Sequence, residues 1–173
     1  MINLKDPNYF KRTIKIFIIA IIIFLIAFIL SIIFSPSLET FKNTSNGISS
    51  KLSEAQGLNK VWQYILNNAI KVPFQMLVFS LIPIPFLYFL NLISTNIITG
   101  IVFAFAVHLN FNKGSLMVIS SLPHSIIETI AMCFIISGLY KLNQSILRKV
   151  GNLFRKNKKK EISFKVAISN LFK

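Results

Sequence analysis

The chain has 173 residues, 54% of them hydrophobic and 14% charged, with a mean hydropathy of +0.66. A soluble core of this size cannot hide so much apolar surface, so the surplus must face lipid and an ordinary soluble domain is excluded. The net charge of +14 comes from cations gathered toward the two ends, outside the apolar runs, with no recognition-helix motif beside them; it reads as positive-inside bias rather than nucleic-acid binding.

Lys5, Lys11, Arg12 and Lys15 precede a nearly unbroken apolar run over residues 16–34. Its length is near the ~20 residues that cross about 30 Å of hydrocarbon, which predicts a first membrane helix at about 14–35. A cleaved signal peptide has a shorter apolar core of about 7–15 residues, so this segment is expected to be retained. Residues 36–68 form a polar outer loop. Asn43 to Gly47 mark its turn, Leu52, Ala55 and Leu58 hint at a short amphipathic helix, and Trp62 and Tyr64 suit the headgroup level.

The second predicted helix spans about 69–90 and contains Pro73, Pro83 and Pro85. The pair in "LIPIP" should kink or end it, either as a hinge or as a static bend. "NLISTN", Asn91 to Asn96, is expected to be a tight hairpin turn before a third helix at 92–108. After "LNFNKGS" a fourth apolar segment runs over 115–140. Basic residues then dominate, and Ile146, Val150, Leu153 and Phe154, like Phe164, Ala167, Ile168, Leu171 and Phe172, recur at helical spacing. Such a tail lies on anionic lipid, either as a topology anchor or to recruit a partner. The expected organisation is a membrane bundle, 1–142, and a basic amphipathic cytoplasmic tail, 143–173. Four crossings put both termini on the cytoplasmic side of a plasma membrane.

"SSLPHSIIETIAMC", Ser120 to Cys133, sets a proline, a histidine and a glutamate inside the fourth segment. Pro123 suits the first turn of a helix, with Ser120 or Ser121 as cap, so the segment is expected to be broken or re-entrant there. His124 and Glu128 are then i and i+4 on one face. An ionised carboxylate alone in hydrocarbon is costly, so Glu128 needs a proton or a cation, and His124 and Lys71 are the candidates. If 115–140 is one helix, His124 lies well inside the membrane; if 115–122 is interfacial, it lies near the outer surface, within reach of His108. The second geometry permits His108, His124 and Glu128 around a zinc ion as an intramembrane hydrolase. The spacing lacks the H-E-x-x-H signature and a separate general base. The lone Cys133 offers no thiolate cluster, and no nucleophile motif or phosphate loop is present. The expected protein is therefore non-catalytic and without a cofactor.

These residues also carry a resemblance. "ILNN", Ile65 to Asn68, and "LPHSIIETIAM", Leu122 to Met132, resemble two elements of the stage II sporulation protein M family of bacterial membrane proteins. The first matches an asparagine pair, Asn67 and Asn68, that opens a membrane helix. The second matches a "PHG-x-x-E" helix, with Pro123, His124 and Glu128 in register and Ser125 in place of the customary glycine. The resemblance implies a scaffold in a complex with peptidoglycan-degrading partners during engulfment. Its small basic members serve circular-bacteriocin immunity or export, and this chain is similar to them in size and charge. The reading is thus an all-α polytopic helical bundle that binds a membrane or envelope protein, or a bacteriocin peptide, as well as lipid, through the pair His124 and Glu128.

Overall fold

A computed structural model of the chain describes residues 8–34, 59, 62–63 and 65–153. The amphipathic helix expected around Leu52 to Leu58 and the tail beyond Leu153 lie outside the described residues, which contain helices and turns and no strand. Among the described residues there are four α-helices: α1, Tyr9–Phe34; α2, Val72–Leu81, entered through a π-helical turn at Leu66–Lys71; α3, Leu90–Leu109, entered through a 3-10 turn at Leu87–Phe89; and α4, Phe111–Leu153. Among the described residues three stretches, Tyr9–Phe34, Leu87–Leu109 and Phe111–Leu153, are long and apolar enough to cross a membrane.

α1 is rich in isoleucine, which costs helix propensity in water. In lipid every backbone N–H and C=O must be satisfied within the segment, and that requirement outweighs the propensity. Only Thr13, Ile16 and Ala20 of α1 are buried, so most of its apolar surface faces outward, as for a helix in lipid. The core gathers Ile16 and Ala20 with Met76, Tyr88, Leu92, Met132, Cys133, Ile136, Leu139 and Leu142.

α1 and α3 run parallel and close. Gly100 is packed against α1, where a Cβ would stand 2.8 Å from the Phe24 carbonyl oxygen, and the Phe24 and Phe103 rings meet edge to face at 6.0 Å. α4 runs back against both. A single residue, Asn110, separates α3 from α4, and its side-chain oxygen accepts the Lys113 N–H at 3.0 Å as a helix cap. At the far end α4 is tied to the start of α1. The Tyr9 hydroxyl donates to the Phe134 carbonyl at 2.9 Å, and the Ser137 hydroxyl donates to the Tyr9 carbonyl at 2.9 Å. The Arg12 guanidinium donates to the Ser137 hydroxyl and carbonyl at 3.1 and 2.6 Å, and it lies over the Tyr140 ring at 4.5 Å.

The middle of the chain departs from the expectation of one helix over 69–90. α2 stops at Leu81, residues 82–86 form an irregular corner, and Phe86 takes a left-handed conformation at φ 64°. The cause is the proline pair, which removes two donors in succession and bars helical continuation. Carbonyls freed there are met from α4: the buried Asn143 amide donates to Ser80 O at 2.9 Å and to Ile82 O at 3.2 Å. The hairpin turn expected at Asn91 to Asn96 is consequently absent, and those residues form the first turns of α3.

The fourth segment also differs from expectation. α4 is one helix of 43 residues with Pro123 inside it, about 65 Å long at 1.5 Å per residue. It starts at Phe111 and not at Pro123, and it runs unbroken past residue 142. Prolines are tolerated in lipid-embedded helices where hydroxyls and neighbouring helices compensate the backbone. Ser120 and Ser125, on either side of the ring, turn their hydroxyls back onto their own helix, to Met117 O at 2.9 Å and Ser121 O at 3.2 Å, and bring no unmet donor into the apolar surroundings.

Candidate functional site

Because α4 is regular through Pro123, its register fixes where the polar residues stand. Gly114 abuts the end of α3, where a Cβ would clash with the Ala106 carbonyl, and Phe134 abuts Tyr9. His124 lies midway, about 15 Å along the axis from each. The single helix over 115–140 is the first of the two helix geometries drawn from the sequence. His124 Nε2 stands 3.7 Å from Glu128 Oε2, as i and i+4 on a helix require. The two side chains are turned differently: His124 is 75% exposed and Glu128 24%.

Glu128 leans over a small cavity of about 40 Å³ between α1, α3 and α4, which Thr95, Asn96, Thr99, Ser125 and Thr129 also line. This is room for roughly one or two water molecules. Asn96 is buried, and its amide donates to Leu92 O at 2.8 Å, inside its own helix. Sequence reasoning missed this polar wall because Thr95 and Asn96 were expected in a turn. Placed on a helix, Thr95, Asn96 and Thr99 share one face, and that spacing was the available signal.

His108 ends α3 beside the turn into α4, on the far side of Gly114 from His124. The proposed triad of His108, His124 and Glu128 therefore does not assemble. Among the described residues no group of three His, Cys, Asp or Glu side chains is placed to hold a metal ion. Asn67 and Asn68 stand on another element, in the π turn, where the Asn67 amide donates to the Asn68 side-chain oxygen at 2.9 Å. A π turn carries one residue more than an α turn, and such turns are frequent at functional sites. Next to the pair, Ala69, Ile70 and Phe74 border an apolar groove of about 510 Å³ against Phe134, Ile135 and Gly138. Lys71 is exposed at the end of that turn, and the basic group found beside Glu128 is His124.

Chemically, the pair offers an imidazole with one donor and one acceptor next to a carboxyl that can share its proton. In a medium without water such groups recognise other polar groups, and they cost free energy when left alone.

Long apolar helices, with a polar pair on one of them and a small polar cavity behind it, define an all-α membrane protein. The chain belongs to the stage II sporulation protein M family, whose profile matches residues 12–172 and so takes in α2, α3, α4 and all but the first three residues of α1. No curated protein and no solved structure matches it.

Proposed function

We propose that the protein is a non-catalytic, multi-pass plasma-membrane protein that binds a membrane or envelope partner, with bacteriocin self-immunity or export as its role and both termini cytoplasmic. The observation that carries this reading is the His124–Glu128 pair in the N-terminal half of α4, with the imidazole turned away from the bundle. A polar side chain kept on an apolar helix of this kind has its use in a contact made there. The chain's small size and its charge of +14 favour the immunity branch, since basic surfaces at the ends leave the recognition of a cationic peptide to the membrane-embedded part.

A second reading, a scaffold for a cell-wall remodelling complex of the engulfment type, is favoured by the family's sporulation name. The two share the same binding surface and differ in the partner. The test is co-purification of the tagged protein from its native membrane beside the Glu128→Gln variant, with mass spectrometry of what accompanies each. A partner retained by the wild type and lost from an equally abundant variant supports binding through the pair and names the pathway. Equal recovery of the partner from both removes the pair from the mechanism.

A further inference from the structure

The cavity behind Glu128 is walled by oxygen where α3 and α4 face each other and by hydrocarbon on the side of α1. Thr95, Asn96 and Thr99 come from one face of α3, and Ser125, Glu128 and Thr129 from one face of α4, as spacings of three and four residues require. Two of these side chains are more than nine-tenths buried, Asn96 at 4% exposed and Thr129 at 7%.

Their oxygens are not spent elsewhere. The Asn96 amide nitrogen donates to Leu92 O inside its own helix, which leaves the amide oxygen, an acceptor only, on the other side of the group. Among the described residues no protein hydrogen bond is made by the Thr95, Thr99 or Thr129 hydroxyl, and no wholly enclosed side-chain oxygen is left without a partner. The free oxygens therefore open on the cavity. Ser125 donates to Ser121 O and keeps its lone pairs.

An ionised carboxylate is also an acceptor only. His124 Nε2, at 3.7 Å from Glu128, is beyond hydrogen-bond distance, and its ring is turned outward. The cavity thus gathers acceptors with no positive group among its lining residues. Water can bond to them but leaves the carboxylate charge in apolar surroundings, whereas a cation meets the acceptors together and neutralises it. Hard oxygen donors without nitrogen or sulfur suit alkali and alkaline-earth ions rather than transition metals. One carboxylate balances one positive charge, so a divalent ion would leave an excess among the apolar walls. A volume of about 40 Å³ admits the ion only when side-chain oxygens replace most of its hydration shell.

We propose that this cavity is a binding site for one monovalent alkali cation of the size of Na+, held by the Glu128 carboxylate, the Asn96 amide oxygen and the hydroxyls of Thr95, Thr99 and Thr129. The site joins α3 to α4 through the ion. It lies behind the pair, on the side away from the imidazole, and is independent of what meets His124.

The test is equilibrium binding of radioactive Na+ to the purified full chain in detergent, with choline chloride holding the ionic strength constant. Saturable binding of one Na+ per chain is expected. Thr129→Val removes the oxygen and keeps the shape, and it is expected to weaken binding several-fold; Thr129→Ser, which keeps the oxygen, and Ser120→Ala, on the exposed side of α4, are expected to bind as the wild type does. All are compared as monodisperse protein in equal amount. No saturable binding to the wild type overturns the proposal and leaves a cavity that holds water only. Equal binding by Thr129→Val places the ion elsewhere, equal loss from Thr129→Ser makes the effect one of packing, and displacement by MgCl2 at lower concentration than by NaCl makes the site divalent; each of these also overturns it. Co-purification reads the outward side of the pair, so failure of Na+ binding leaves the partner result standing, and loss of the partner reading leaves the Na+ result standing.

Discussion

At the scale of single residues, Arg12 and Asn143 do work that their sequence context does not announce. Arg12 was grouped with flanking cations that set orientation, yet its guanidinium donates twice to Ser137 and covers the Tyr140 ring. Hydrogen bonds from charged donors contribute about 1.5–3 kcal/mol each, less where water competes. Arg12→Ala is expected to lower stability by about 1–3 kcal/mol, whereas Lys15→Ala, an exposed residue on the same helix, is expected to be near neutral. Thermal unfolding of both variants in one detergent checks the contrast. Glu128→Gln, in turn, should leave stability close to wild type while abolishing partner recovery, because the amide keeps the shape and loses the shareable proton. His124 and Glu128 were legible from sequence, since a four-residue spacing fixes their adjacency once a helix is assumed. The polar residues around them on α3 were not, because the strength of a turn signal in "NLISTN" depends on where the preceding helix ends.

At the scale of elements, the corner between α2 and α3 and the turn between α3 and α4 are held by opposite means. The first is an irregular run whose carbonyls are taken up by Asn143. Asn143→Leu takes that donor from the Ser80 and Ile82 carbonyls, of which Ile82 O keeps the Ile84 N–H at 2.7 Å, and a cost of about 1–3 kcal/mol is expected from the Ser80 carbonyl left unmet. Limited proteolysis should then show earlier cleavage at residues 82–86. The second is a near-contact of backbones, in which Gly114 lies so close to Ala106 that a Cβ would clash with its carbonyl oxygen. Gly114→Val is expected to prevent the hairpin from closing and to strongly lower the yield of folded protein in membranes, while Gly151→Ala, with nothing near its added Cβ, should be neutral. The apolar runs made the helices themselves legible. Their ends were less so: Pro123 carries a strong stop signal in water, but lipid removes the option of an open backbone and α4 continues through it. Pro83 and Pro85, two positions apart, remove two donors in succession, and there the helix does end.

At the scale of the whole molecule, the described helices alternate in direction, α1 and α3 one way and α2 and α4 the other, as the partners Phe24–Gly100, Tyr9–Ser137 and Ser80–Asn143 require. The proposed topology makes a prediction at this scale. In a Cys133→Ala background, Lys113→Cys should react with a membrane-impermeant maleimide in intact cells, and Lys149→Cys should react only after permeabilisation. Labelling of both from one side would overturn the arrangement. The all-α membrane class and the family were legible from composition, hydropathy and two short motifs, because lipid imposes helices on any long apolar run. Which helix supports which corner was not, since those contacts join residues more than 60 positions apart, as Ser80 and Asn143 do.

The unbroken course of α4 makes this helix a mechanical element as well as a scaffold. A rod of about 65 Å is more than twice as long as the hydrocarbon is thick, and Arg12 and Tyr9 grip it near Ser137. A tilt of about 5° there moves Leu153 by about 2 Å and swings His124 by nearly as much in the opposite sense. A partner seated against the imidazole, as proposed, would therefore be coupled to the far end of the same helix, with no loop between them to absorb the motion.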